Sequence, residues 1–169
     1  MSGGGGKTPL EAVVAVYSDW GIGADGTQSV TVKADRRRFR ELTEGAAVIV
    51  GRKTLADFPG GRPLPGRVNI VLTRGAAEIE GAVTVRSAAE ALTEAERYPR
   101  VFVIGGARVY RELMPHIIRV YVTKLDCAPR SDVFFPDLDA DPAWYVSERG
   151  GDREEDGIRF RFLTYERVK

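Results

Sequence analysis

The chain is poor in metal-seeking and redox-active side chains: its 169 residues include one cysteine, one histidine and two methionines. A lone Cys127 excludes an intramolecular disulfide and fits a reducing compartment, so a cytoplasmic location is expected. One cysteine with one histidine is too few for an ordinary protein zinc site. His116, after Pro115 at a helix end, reads as a capping or exposed residue, and Cys127 as a packing residue. No apolar run approaches the ~20 residues of a membrane span. The opening MSGGGGKTP has glycines where a secretory signal needs an apolar stretch, and residues 1–9 read as a flexible leader. Charge bias is missing too: a formal net charge of +1 gives no global basic field for nucleic acid, so the run Arg36, Arg37, Arg38 and Arg40 reads mostly as a solvated helix face. Internal repeats and dividing linkers are absent, and residues 10–169 read as a single domain.

Hydrophobic residues make up 43% of the chain and charged residues 29%, the balance of a globular domain that buries roughly 70% of its unfolded surface. Short apolar runs bounded by Gly, Pro or charge predict strands at 12–17, 46–50, 69–72, 82–85 and 101–104. Helical spacing predicts helices at 34–43, 88–97 and 108–114, the second opened by Ser87 as N-cap with Glu90 three residues on. Strand alternating with helix means a parallel sheet. After Pro115 the pattern changes to strands at 120–123, 143–147 and 159–165, with 150–157 as a hairpin turn and the last two pairing antiparallel at one edge.

Residues 61–74, GRPLPGRVNIVLTR, read as a binding wall. Pro63 and Pro65 fix the backbone around Leu64, Gly66 lets the chain turn, and the following run has the continuous apolar character of a buried parallel strand. Thr73 and Arg74 stand at that strand's carboxyl end, where open α/β sheets bind ligands, and Arg67 precedes it. Two further strand ends open on the same edge, VIVGRKT at 48–54 and VFVIGGARVY at 101–110. Gly51, Gly105 and Gly106 remove side chains where helices begin, a geometry that suits a pyrophosphate, although tight strand-to-helix packing would also explain each glycine. Neither is a GxGxxG fingerprint, and no strand-end acid follows to hold a ribose hydroxyl. Arg52, Lys53 and Arg74 instead suit a 2′-phosphate, favouring NADP over NAD. Asp35, in the first turn of its helix, shares a face with Phe39 and Leu42, so a carboxylate is aimed at the apolar side; helix capping is the plainer alternative.

Asp35 with Phe39, then VIVGRKT, RPLPGRVNIVLTR, VFVIGGARVY, YVTK and DVFFPD, in this order and spacing, resemble the bacterial dihydrofolate reductases from about Val13 to the end of the chain. The resemblance implies a three-layer α/β fold: a mostly parallel, eight-stranded central sheet with an antiparallel C-terminal edge and four flanking helices. It implies NADPH as cofactor, dihydrofolate as substrate, antifolates as inhibitors and a monomer. Carried over by position, Asp35 is the catalytic acid that binds the pterin, supported by Thr123. Val13, Val14, Ala15, Phe39, Phe58, Leu64 and Ile104 match the substrate walls, and Arg67 the contact to the glutamate α-carboxylate. Ala15, Ile22 and Gly23 match nicotinamide-side contacts. Gly51, Arg52, Lys53 and Thr54, with Ile104, Gly105, Gly106, Ala107, Arg108, Val109 and Tyr110, match the cofactor's phosphate side. Leu72, Thr73 and Arg74 match the 2′-phosphate region. Asp132 matches a loop residue that bonds the nicotinamide-side loop.

The chain departs from the family pattern with Ser29 and Val30 where relatives carry Pro-Trp, with Lys53 for a common histidine, and with Ala107 for a commoner glycine. Arg36 replaces an apolar residue and is expected to reach the glutamate tail. Trp20 is expected to flank the mobile loop, and Trp144 to pack the edge strands. A riboflavin-pathway reductase of the same fold and a non-catalytic NADP-binding homologue are the rival readings.

Overall fold

A computed structural model describes residues 9–75 and 78–169. The expected leader at 1–9 therefore lies, Pro9 apart, outside the described residues. The first apolar run forms β1, Leu10–Tyr17, and its alternation serves two faces: Leu10, Ala12, Val14 and Val16 enter one core cluster, Val13 another. Then come β2 (Gly21–Gly23), α1 (Lys33–Thr43), β3 (Ala47–Gly51), the short α2 (Arg52–Ala56), β4 (Val68–Leu72) and β5 (Ala82–Val85). The chain continues through α3 (Ala88–Ala95), β6 (Val101–Gly105), α4 (Ala107–Leu113) and β7 (Ile117–Leu125). It finishes with β8 (Val133–Phe134), β9 (Trp144–Arg149), β10 (Arg153–Glu155) and β11 (Ile158–Arg167). Ser87 caps α3 as expected: its Oγ accepts the Glu90 N–H at 3.1 Å, while Glu90 reaches back to the Arg86 N–H at 3.1 Å.

The main sheet runs β9-β11-β7-β1-β6-β3-β4-β5, with β10 added to β11 beyond this path. Pairing is parallel from β7 across to β5, and antiparallel where β11 meets β7, β9 and β10. Four helices flank it, so the expected α/β architecture is the one observed. One apolar layer holds Ile49, Val101, Leu113 and Tyr165; the other, under α1, holds Val13, Val48, Val50, Phe102 and Ile104. Burying such residues contributes about 1.5 to 3 kcal/mol each, and this fastens the strands under the site.

Several expectations need correction. The strand expected at 120–123 is longer, because Ile117 and Leu125 at its ends are also fully buried. The segment 150–157 is not turn throughout: Arg153–Glu155 is a strand, and the reversal is confined to Asp156 and Gly157, both at positive φ. The two-stranded ribbon of β2 with β8 had no sequence signal. Trp20 is buried, against Phe135 and Tyr165 and under the Lys124 ammonium at 4.7 Å. Trp144 packs the edge strands, with the Arg167 guanidinium 4.5 Å from its ring.

Candidate active site

The central cleft arises where two neighbouring strands part. β1 pairs with β6 only as far as Ala12 opposite Val103, while β1 continues along β7 and β6 continues along β3. Beyond the fork the carboxyl ends of β1 and β6 open into a cavity of about 1150 Å³, larger than a single drug-sized ligand needs. Its floor is tied down by side chains. The Tyr110 hydroxyl donates to the Val13 carbonyl at 2.6 Å, and Gln28 Nε2 donates to the Ala15 carbonyl at 2.9 Å. Burial, and after it the Asp35 charge, pushes the Tyr110 hydroxyl far up, so it stays a donor.

Asp35 faces this cavity from the first turn of α1. Its Oδ1 accepts the Thr123 hydroxyl at 2.6 Å, and Thr123 sits in register with Ala15 across β7 and β1. Burial raises the carboxyl above its ordinary range; the Thr123 hydrogen bond and then the Arg38 and Arg36 charges oppose the shift. The result is a carboxylate held at an apolar boundary, able to receive a cationic or hydrogen-bond-donating ring. Arg38 differs from the expected solvated face: it is half-buried, with its guanidinium 4.5 Å from the Phe162 ring and 5.6 Å from Tyr121.

The wall beside Asp35 is apolar. Phe39, Phe58 and Leu64 pack on the cluster containing Val13, Val50, Leu55 and Ile104. Leu64 is placed by its flanking prolines and also by Asn69, expected only as part of an apolar strand. Asn69 is 2% exposed, and its side chain accepts the Leu64 N–H at 2.9 Å while donating to the carbonyls of Leu64 at 2.9 Å and Arg67 at 3.2 Å. Arg67 is braced in turn, donating to Thr43 Oγ1 at 3.0 Å and to the Pro65 carbonyl at 2.7 Å. Its guanidinium lies 5.8 Å from the Phe39 ring, and Nη2 has no hydrogen bond among the described residues.

The other half of the cleft is glycine and cation. A Cβ on Gly106 would meet Thr54 Oγ1 at 2.8 Å, one on Gly105 would meet Thr54 Cγ2 at 3.2 Å, and one on Gly51 would meet Val109 at 3.1 Å. These glycines bring the starts of α2 and α4 together as a cradle with exposed backbone. Arg52, Lys53 and Arg74 are exposed at its rim, with no hydrogen bond or ion pair among the described residues. Thr73, buried, accepts the Gly75 N–H at 3.0 Å and so has its own proton to offer. Cations, a hydroxyl and bare backbone on one side of a cleft fit a dinucleotide phosphate, including a 2′-phosphate.

Most of the expected site residues therefore line one cavity: Val13, Val14, Ala15, Ile22, Gly23, Asp35 and Phe39, the stretch from Gly51 to Thr54, Leu72, Thr73, Arg74, and everything from Ile104 to Tyr110. Thr123, Phe58, Leu64 and Arg67 stand behind or beside that lining. Arg36, expected to reach the glutamate tail, is exposed and outside that lining. The nicotinamide-side loop is bonded as expected, with the Asp25 N–H donating to Asp132 Oδ2 at 3.0 Å. Gln28 was not anticipated, because its partner is a backbone carbonyl on another element.

Comparison with known proteins agrees with this fold. Residues 9–167 match the family described as dihydrofolate reductase. The dihydrofolate reductase of Bacillus subtilis is 36% identical over 149 residues, covering 86% of this chain and 87% of its own length. The bifunctional dihydrofolate reductase-thymidylate synthase of Glycine max is 35% identical over 181 residues and 94% of this chain, but the match spans only 34% of that protein. Among solved structures, Enterococcus faecalis dihydrofolate reductase complexed with NADP(H) and RAB-propyl superposes with a TM-score of 0.85 at 30% identity, over 95% of this chain and 97% of that one. The match along nearly the whole length, to the family and to the fold, places this chain, with its forked parallel sheet, its Asp35–Thr123 pair and its glycine-and-cation cradle, in the dihydrofolate reductase family.

Proposed function

We propose that residues 10–169 act as one monomeric, cytoplasmic domain that reduces 7,8-dihydrofolate to 5,6,7,8-tetrahydrofolate with NADPH. When bound, NADPH supplies the hydride that reaches C6 of the pterin, and a proton completes the reduction at N5. The observation that carries the reading is Asp35, half-buried at the cleft with the Thr123 hydroxyl at 2.6 Å and the glycine-and-cation cradle on the other side.

In this reading Asp35 binds the 2-amino group and N3 of the pterin, orients the ring and favours its protonated form. Thr123 fixes the carboxylate. Phe39, Phe58, Leu64 and Ile104 exclude water from the ring and benzoyl group, and Arg67 offers Nη2 to the glutamate α-carboxylate. Gly51, Gly105 and Gly106 admit the pyrophosphate; Arg52, Thr73 and Arg74 take the 2′-phosphate. Family membership sets the riboflavin-pathway alternative aside. The non-catalytic alternative is disfavoured by an intact Asp35–Thr123 pair. NADPH oxidation followed at 340 nm with dihydrofolate tests the proposal, and absence of dihydrofolate-dependent oxidation by the wild type refutes it.

A further inference from the structure

Helix α1 carries Asp35, yet its own sequence supplies no cap. Val32 precedes it in extended conformation, φ −124° and ψ 146°, with a side chain that cannot accept a hydrogen bond. The acceptor comes instead from 122 positions away: the Lys33 N–H donates to Glu155 Oε2 at 2.5 Å, and the Ala34 N–H to Oε1 of the same carboxylate at 3.1 Å. Both oxygens of one side chain thus span the first two amides of α1, where the helix field favours negative charge. A second contact joins α1 to the same hairpin, through β11. Phe162 of β11 has Arg38 of α1 at 4.5 Å from its ring centroid and Arg153 of β10 at 5.1 Å. The reversal at Asp156 and Gly157, φ 51° and 82°, sets Glu155 opposite Ile158.

We propose that Glu155 is a positioning residue for the reaction: from the β10–β11 hairpin it holds the first two amides of α1 and so fixes where the Asp35 carboxylate stands relative to Thr123 and the cleft. Asp35 follows Lys33 by only two residues, so any release of the helix start is passed to the carboxylate directly. The role rests on the reading of Asp35 as the pterin-binding acid.

The test uses the full chain and compares Glu155→Ala, Glu155→Gln and the neighbouring Glu154→Ala, which removes only the exposed 3.8 Å contact to Arg159. For Glu155→Ala, kcat/KM for dihydrofolate falls about tenfold while NADPH affinity is unchanged, since small misplacements of a reacting group are costly. Glu155→Gln, keeping one acceptor oxygen, lies between, and Glu154→Ala matches wild type. In an Asp35→Asn background the further cost of Glu155→Ala shrinks below about twofold, because no carboxylate remains to be placed. Lys33→Pro removes the N–H that Glu155 satisfies, and the extended Val32 is the conformation a following proline requires, so this change recovers part of the loss. Amide exchange at Ala34 accelerates in Glu155→Ala while exchange in β1 does not. Equal losses in the wild-type and Asp35→Asn backgrounds, equal weakening of NADPH, or unchanged exchange at Ala34 would each overturn the proposal. Wild type without dihydrofolate turnover would refute the pterin reading instead, and the Ala34 exchange result would still judge the cap.

Discussion

Replacing Asn69 by leucine asks whether the substrate wall is held by its prolines or by one buried amide. The side chain is 2% exposed and makes three hydrogen bonds, two to Leu64 and one to the Arg67 carbonyl. At a net ~1 kcal/mol each these contribute about 3 kcal/mol. Leu64 and Arg67 are only half-buried, so their freed backbone groups can regain water, and the expected loss is about 2 to 4 kcal/mol of unfolding free energy. Leucine keeps the branched shape and heavy-atom count but is bulkier, so no cavity is left and any added cost is one of overpacking. The functional consequence is one-sided. The residues released are Leu64 and Arg67, on the side proposed to take the substrate, whereas Thr73 and Arg74 lie beyond β4 at its far end. Dihydrofolate KM should therefore rise about tenfold or more, with NADPH affinity within about twofold of wild type. Steady-state kinetics for both ligands, with urea unfolding on the same preparation, decide it. A full stability loss with unchanged dihydrofolate KM would mean that Pro63 and Pro65 hold the loop unaided.

Asp35→Asn should lower turnover by about 10² to 10⁴, with partial recovery in acid where dihydrofolate is already protonated; a pH-independent residual rate would contradict the role. The same variant should be more thermostable at neutral pH. Burial raises the Asp35 pKa on folding, so its stabilising contribution is complete below the unfolded value of 3.8 and is lost as pH rises through the folded one. Melting curves should accordingly separate mutant from wild type at pH 7 and converge below about pH 4. Arg67→Ala should raise dihydrofolate KM roughly 10- to 150-fold, the equivalent of about 1.5 to 3 kcal/mol for a charged hydrogen bond, and leave NADPH affinity unchanged. Gly106→Ala places a methyl 2.8 Å from Thr54 Oγ1 and should cost about 1 to 3 kcal/mol, read as weaker NADPH binding and partly relieved by Thr54→Ala.

What the sequence disclosed was chemistry carried by neighbours in the chain. Gly51 before Arg52 and Lys53, Gly105 with Gly106 at a strand end, and Asp35 on the face of Phe39 each announce their geometry locally, and the strands came from uninterrupted apolar runs. What it withheld depends on partners far along the chain. Glu155 looks like one acid in a charged turn until α1 is seen starting on it. Asn69 passes for a strand residue until Leu64 folds back on it. Arg38 is one of four arginines until Phe162 and Tyr121 receive it. β2 and β8, of three and two residues, are too short for any periodicity to register.

The fork between β1 and β6 also bears on how the protein assembles. β1 lies at the middle of the main sheet, yet Leu10 pairs with Val101 on one side and Ile117 on the other. During synthesis the strand LEAVVAVY keeps two unpaired edges until its partners, Val101–Gly105 and Ile117–Leu125, have been made. Closing such distant pairings costs loop entropy before any contact offsets it, so folding should be slow for the chain's size and sensitive to aggregation at elevated concentration. Nascent chains truncated before β7 would leave one flank of β1 open, and the strand that supplies the floor of the cleft is thus among the last to be enclosed.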